Sequence, residues 1–120
     1  MTNSPRPFKI LSLIPPMTQL NTPYPSTAYL TGFLRCQELA AVQDDLALKL
    51  VLALLSQEGL ADIRVQALKQ PEAARSASVN FYLDHYQRYQ ITIDRVIAFL
   101  QGADPTLAHR IAARGYLPEG

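Results

Sequence analysis

An apolar run that ends in two consecutive prolines constrains the fold of this chain more than any other feature. Residues 8–14 read FKILSLI, and Pro15 and Pro16 follow directly. Proline fixes φ and has no backbone N–H, so a regular element must end there. The run lacks helical spacing, and continuous apolar runs of this length are typical of strands covered on both faces of a parallel sheet. The sequence therefore predicts a buried strand over residues 8–14.

A loop and a helix follow the predicted strand. The loop contains four prolines: Pro15, Pro16, Pro23 and Pro25. Ser26 is a candidate N-cap, because a serine hydroxyl can accept from the free N–H groups of a first helical turn. Residues 27–37 repeat apolar side chains at helical spacing and predict the first helix.

A second, brief strand is predicted over residues 41–43, which lead into Asp44 and Asp45. One of these aspartates can cap the next helix, predicted over residues 46–57. That helix is apolar nearly all round, which predicts deep burial. Gly59 is expected to stop or bend it, because glycine adopts left-handed dihedrals without a Cβ penalty.

The rest of the chain is predicted to be helical. A short helix over residues 60–69 precedes Pro71, and a long amphipathic helix over residues 78–101 is closed by Gly102. Asp104 and Pro105 supply an N-cap and a proline at the first helical position for a helix over residues 106–113, which ends before Gly115.

The predicted order, β-loop-α-β-α and then helices, is that of an α/β fold with two short parallel strands and a mostly helical C-terminal half. We place an α/β unit at residues 8–58 and a helical extension at 59–120, packed with it as one compact unit. Two parallel strands are too few for a stable sheet, and their edges stay unpaired. The sequence begins a doubly wound sheet and contains no third strand.

Composition narrows the possible functions. Eleven basic and ten acidic side chains give a formal net charge of +1, without a basic run, so no nucleic-acid partner is expected. The single cysteine, Cys36, cannot form an internal disulfide or hold a zinc or iron–sulfur site alone. Serine triads, phosphate-binding glycine loops and metal-ligand spacings are absent from the sequence.

No membrane partner is expected either. The N-terminal apolar run is too short for a signal peptide, and the run over residues 46–55 is too short to span a bilayer and contains Lys49. These features, with a lone cysteine, lead us to expect a soluble, cytoplasmic protein.

The proline-rich loop is the best candidate for a binding site. Ligands of open α/β sheets lie beyond the carboxyl ends of the strands, where this loop begins, and the following helix directs its positive end there. The candidate residues, which offer hydroxyl and amide groups, are Thr18, Asn21, Thr22, Tyr24 and Ser26. The alternative, which we favour, is a rigid connector whose polar groups satisfy backbone.

The remaining chemical side chains have plain structural explanations. His85 and His109 lack a carboxylate on the same helical face; Asp84, for example, points about 100° away from His85 on a helix. Both histidines are therefore expected to be surface or interface residues. An aromatic stripe on the long helix indicates core packing, or alternatively a docking face for other polypeptide or for a second copy of the chain. Its tyrosines are Tyr82, Tyr86 and Tyr89.

Two segments of the chain resemble a known family. Residues 9–16 read KILSLIPP and residues 22–35 read TPYPSTAYLTGFLR. They resemble the opening of radical S-adenosylmethionine (radical SAM) proteins with a cobalamin-binding domain, in which paired prolines end the first strand and a Tyr-Leu-x-Gly-x-Leu-Arg helix follows. Residues 41–46 look like the second strand, and residues 99–111 and 117–120 look like a helical extension of one subgroup.

The resemblance implies an incomplete flavodoxin-like domain at the start of a larger enzyme. The family has a partial barrel that binds a [4Fe–4S] cluster through Cys-x3-Cys-x2-Cys and cleaves S-adenosylmethionine, and some members bind cobalamin. This chain lacks the cysteine triplet, and it lacks the cobalamin signature Asp-x-His-x-x-Gly, since Asp84 and His85 are adjacent and Arg88 stands nearby. Glu38 occupies a turn where the family tends to have glycine; a left-handed conformation there would cost about 1 kcal/mol.

We therefore expect a non-catalytic N-terminal portion of a radical SAM protein, without catalytic or metal-binding residues of its own and partnered by the missing radical SAM domain. The alternative is a self-standing interaction module that forms a homo-oligomer through the helix of Tyr82, Tyr86 and Tyr89. Neither the substrate nor cobalamin binding follows from the sequence.

Overall fold

The computed structural model describes residues 8–22 and 24–119. Three parts of the chain lie outside these ranges: residues 1–7, Pro23 and Gly120. Parts of the loop, leader and resemblance predictions fall on these residues. Contacts divide the chain into two units, Met1–Leu50 and Val51–Gly120, with the division inside a helix. The sequence places its boundary later, between residues 58 and 59.

The first unit contains a two-stranded parallel sheet and a connecting helix. Strand β1 is Ile10–Ile14, helix α1 is Ser26–Cys36, strand β2 is Ala41–Asp45, and helix α2 begins at Leu46 and ends at Leu54. Ile10 pairs with Ala41 and Ile14 with Asp45, so both carboxyl ends lie at one edge. Helix α1 packs on both strands. The predicted α/β order is confirmed, and these are the only two strands in the described residues.

The deep burial predicted for β1 and α2 is wrong. Leu11 and Leu13 are 55% and 45% exposed, while the residues that alternate with them in β1 are half-buried. In α2 only Ala47 is buried, and Leu48 and Leu54 are 46% and 41% exposed. A strand buried on both faces needs a second layer, and within the described residues none covers the face of Leu11 and Leu13.

The second unit is a pair of packed helices with a short C-terminal turn. Helix α3 is Gln57–Lys69, helix α4 is Ala77–Leu100 and helix α5 is Ala108–Ala112, with 3-10 turns at Glu72–Ala74 and Pro105–Leu107. Helices α3 and α4 pack together. The amide of Gln57 bonds the carboxylate of Asp94 at 2.7 Å. The buried side chains of this unit are Leu60, Ala67, Thr92, Ile93, Leu107 and Tyr116.

Gly59 has a different role from the predicted one. It lies inside the first turn of α3, where its N–H donates to the hydroxyl of the N-cap Ser56 at 3.0 Å. A Cβ at this position would overlap the carbonyl oxygen of Ala53 and approach that of Leu54 to 2.6 Å. Glycine is therefore required because two backbones meet, rather than because φ is positive.

Two helix ends follow the predictions and two differ from them. Asp45 caps α2 by accepting from Leu48 N–H at 2.8 Å, and Gly102 closes α4 with φ of 76°. The sequence predicts that the last helix ends at Gly115, but the left-handed residue there is Arg114, with φ of 57°. Asp104 accepts from Thr106 N–H at 3.1 Å and opens a 3-10 turn rather than an α-helix.

Candidate functional site

A small hollow lies where both strands of the sheet end. We call it the strand-end hollow. Its volume is about 140 Å³, and it is lined by Ile14, Thr18, Gln19, Leu20, Thr22, Tyr24, Asp45, Ala47 and Leu48. The parallel register puts Ile14 beside Asp45 at this edge. It is the position at which open α/β sheets place their ligands.

Three of the five predicted site residues line the strand-end hollow. Thr18, Thr22 and Tyr24 do so, whereas Asn21 and Ser26 do not. The Thr18 hydroxyl donates to the carbonyl oxygen of Pro15 at 2.8 Å, and the Thr22 hydroxyl donates to Asn21 Oδ1 at 3.4 Å. Both hydroxyl protons are thus used within the loop, which supports the rigid-connector interpretation.

The beginning of α1 differs from its prediction. Ser26 is the first helical residue, and the N-cap is Pro25, whose φ of −75° and ψ of −10° are already helical. The prediction that Ser26 caps the helix is therefore wrong. The N–H of Tyr29 bonds the carbonyl oxygen of Pro25 at 2.9 Å. No side chain of the described residues caps this helix, and its first turn carries no acid.

Asp45 lines the strand-end hollow, whereas the sequence predicts only a helix-capping role for the aspartates at this position. It ends β2 and reaches the hollow while its Oδ1 bonds the first turn of α2. An acid directly after the second strand was the available signal, because that position lies at the ligand edge of the sheet. The sequence assigned the acid to helix capping instead, and the structure shows that it serves both places.

Asp44 lies in an ion pair beside this edge. Its Oδ2 accepts from Lys49 Nζ at 2.6 Å, and its Oδ1 accepts from Asp45 N–H at 3.0 Å. The hydrogen bond from Lys49 holds the pKa of Asp44 below its ordinary value of 3.8. Hydrogen bonds and a cation both favour the charged carboxylate, so Asp44 stays ionised at neutral pH.

The residues present do not fit the cofactors that the resemblance implies. A [4Fe–4S] cluster is held by several cysteine thiolates, and Cys36 is exposed near the end of α1. Within residues 8–22 and 24–119, no three metal-ligating side chains cluster. Cobalamin is far larger than the strand-end hollow, whose volume lies below the range of about 300–1,000 Å³ usual for ligand pockets.

Both histidines belong to helices of the second unit. Asp84 and His85 are exposed residues of α4, and His109 is exposed in α5. The His85 ring stacks on Phe81 with centroids 4.1 Å apart, and its Nδ1 lies 2.9 Å from the Phe81 carbonyl oxygen. These contacts hold His85 on its own helix, so it does not complete a base-off cobalamin site with Asp84.

The predicted aromatic stripe is half-buried against neighbouring segments of the second unit. Tyr82 donates to the carbonyl oxygen of Leu60 at 2.6 Å, and Tyr89 donates to that of Pro118 at 3.1 Å. The ring of Tyr82 lies 5.9 Å from that of Tyr89 and 6.1 Å from that of Tyr86. Burial, and then the nearby Tyr86, raise the pKa of Tyr82 above 10.0. These contacts support core packing as the main role of the stripe.

None of the helices in the described residues combines the length and the apolar character needed to traverse a bilayer.

Comparisons with known proteins do not assign this chain to a family. Comparison with family models, with curated proteins and with solved structures finds no match to this chain.

Proposed function

We propose that this chain is the non-catalytic, cobalamin-binding-like N-terminal portion of a radical SAM protein, and that other polypeptide supplies the cluster and cleaves S-adenosylmethionine. The observation that carries the proposal is the unfinished sheet. Among the described residues it has two parallel strands, and Leu11 and Leu13 of β1 are 55% and 45% exposed. Apolar strand faces of this kind require a covering layer. The resemblance of residues 9–16 and 22–35 names the family that provides one.

The exposed surface of α1 supports the same conclusion. Tyr29 and Phe33 are 78% and 62% exposed, and Leu30 between them is 49% exposed. Phe33 is four positions from Tyr29 and three from Leu30, so it shares a helix face with each of them. Among the residues of the first unit that the structure describes, the buried side chains are Thr31, Ala41 and Ala47. A unit that buries only small side chains gains little from the hydrophobic effect, so further polypeptide is expected to stabilise it.

The cluster-free part of this proposal can be tested directly. Anaerobic reconstitution of the full chain with iron and sulfide should give no stoichiometric iron–sulfur absorption band. Calorimetry with cobalamin should give no saturable heat, because the strand-end hollow is too small. A stoichiometric cluster, or saturable cobalamin binding that is lost in a Tyr24→Ala variant, would contradict the assignment of these functions to other polypeptide.

The family part needs a separate experiment. The genomic DNA that follows codon 120 should encode Cys-x3-Cys-x2-Cys, either in the same frame or in a neighbouring gene. Co-expression of that product with this chain should give a complex, and a Leu11→Lys, Leu13→Lys double variant should abolish it. Absence of the cysteine triplet from the locus would reject the radical SAM assignment.

A second function, a self-standing interaction module, is favoured by a different observation. Ile91 and Leu100 of α4 are 67% and 70% exposed, and Val65 of α3 is 51% exposed. Such residues could pack against a second copy of the chain. Size-exclusion chromatography with light scattering tests this second function. A folded monomer at all concentrations would count against a self-standing interaction module.

A further inference from the structure

The C-terminal segment of residues 114–119 is held to α4 by Arg88, in addition to the hydrogen bond from Tyr89 to Pro118. Arg88 Nε donates to the carbonyl oxygen of Tyr116 at 3.0 Å, and its Nη2 donates to that of Gly115 at 3.3 Å. Tyr116 itself is only 4% exposed. Because two carbonyls fix the guanidinium, any further bond that Arg88 makes costs little conformational entropy.

Two guanidinium groups lie against the Tyr116 ring of this segment, and a third arginine begins it. Those of Arg88 and Arg110 lie 5.6 Å and 4.8 Å from the centroid of the Tyr116 ring. Arg114, held in the left-handed region with φ of 57°, begins the segment. The one ion pair among the described residues joins Lys49 to Asp44, so none of the three arginines has a carboxylate partner there. Arginines that are not held in an ion pair favour the binding of an anion.

A hollow of about 370 Å³ lies between this segment and α4, and we call it the C-terminal hollow. It is lined by Phe81, His85, Arg88, Arg114, Gly115, Leu117, Pro118 and Glu119. One part of the lining is cationic or polar, and Phe81, Leu117 and Pro118 are apolar. His85 Nδ1 is occupied by the Phe81 carbonyl oxygen, which leaves Nε2 as the remaining polar atom of the ring.

We propose that the C-terminal hollow binds the phosphate group of a small organic phosphate ester. Arg114 and the fixed guanidinium of Arg88 donate to the phosphate oxygens, and the apolar lining contacts the organic group. Guanidinium forks match phosphate geometry and bind it in charge-assisted pairs. A dianion compensates two arginines, which a carboxylate cannot do. The site lies in the helical unit and does not depend on the radical SAM assignment.

The test is an NMR titration of the full chain with phenyl phosphate at constant ionic strength. The backbone amides of Gly115 and Leu117 and the side-chain Nε–H of Arg88 should shift saturably. Arg114→Gln should weaken binding about tenfold, as expected for loss of one charge-assisted pair. This variant keeps a non-glycine residue at the left-handed position and should leave the thermal unfolding midpoint unchanged.

Matched controls separate a site from general charge. Arg95→Gln makes the same charge change at an exposed position of α4 and should alter affinity less than about twofold. Glu119→Gln removes the acid of the lining and should tighten binding. Benzoate, a carboxylate of similar size, should bind more weakly than phenyl phosphate. Absence of saturation, equal effects of Arg95→Gln and Arg114→Gln, or equal binding of benzoate would overturn the proposal.

Discussion

Glu38 holds the same left-handed position after α1 that Gly102 holds after α4. Leu39 N–H bonds the Leu34 carbonyl oxygen at 3.0 Å, and Ala103 N–H bonds that of Ala98 at 2.8 Å. This six-to-one bond, with a left-handed residue inside it, defines the Schellman motif. The φ angles are 59° for Glu38 and 76° for Gly102, so one motif contains the favoured glycine and the other a strained residue.

Substitutions at Glu38 and Gly102 should change the free energy of unfolding in opposite directions. Glu38→Gly should raise the free energy of unfolding by about 1 kcal/mol, because glycine has no Cβ to strain in the left-handed region. Gly102→Ala should lower it by a similar amount. Urea unfolding measures both. Glu38→Ala, which keeps a Cβ, should bring no gain; a gain equal to that of Glu38→Gly would show that the glutamate side chain, rather than the backbone, carries the cost.

Gly59→Ala should destabilise the helical unit by about 1–3 kcal/mol, since the added methyl group must displace the backbone of the α2–α3 corner. Gly32→Ala is the matched control. Nothing lies within 4 Å of a Cβ at Gly32, and alanine in a helix interior is favoured over glycine by about 0.5–1 kcal/mol. Circular-dichroism melts of both variants should therefore move in opposite directions; a rise for Gly59→Ala would refute the close approach.

Tyr82→Phe should lower the free energy of unfolding by about 1 kcal/mol at neutral pH, through loss of the bond to the Leu60 carbonyl oxygen. It should also change the dependence on pH. The raised pKa of Tyr82 means that the unfolded chain loses this proton first, so the stabilisation is complete below pH 10.0 and falls as pH rises through the folded-state pKa. Urea unfolding at a series of alkaline pH values should show a shallower decline for Tyr82→Phe, and Tyr29→Phe, at an exposed position, should decline like the wild type.

Lys49→Met should raise the pKa of Asp44, because the lysine hydrogen bond is the largest cause of its lowered value. In the wild type the pair stabilises the folded state above pH 3.8, and this contribution is lost as pH falls through the lower folded-state pKa. A carbon-13 NMR titration of the Asp44 carboxyl measures the shift. Lys69→Met, whose Nζ bonds Gln66 instead, should leave the titration of Asp44 unchanged.

Threonine substitutions in β1 should distinguish its two faces. Leu11→Thr and Leu13→Thr should change the free energy of unfolding by less than about 0.5 kcal/mol, because these side chains are already exposed. Ile10→Thr, at a half-buried position of the same strand, should cost about 1–2 kcal/mol. If Leu13→Thr cost as much as Ile10→Thr, the exposed face of the strand would have to be covered in solution.

Part of the candidate site followed from the sequence. Paired prolines after an apolar run placed a loop at the carboxyl end of β1, and Thr18, Thr22 and Tyr24 lie in the hollow there. The sequence missed Asp45 as a lining residue, because its local role as a cap already explained it. It also gave no sign of the C-terminal hollow, since Arg88 and Arg114 are 26 positions apart and meet only through the packing of residues 114–119 on α4.

The sequence by itself determined where most elements begin and end. Prolines at residues 15 and 16, the acid at Asp45 and the glycine at Gly102 act through φ, hydrogen-bonding groups and Cβ contacts within a few residues, so their effects need no tertiary information. Only the tertiary structure decided burial. The leucines of β1 and α2 have the composition of a core, yet none of them is buried and several are exposed. Burial depends on which surfaces meet, and two strands with one helix leave a face of the sheet open.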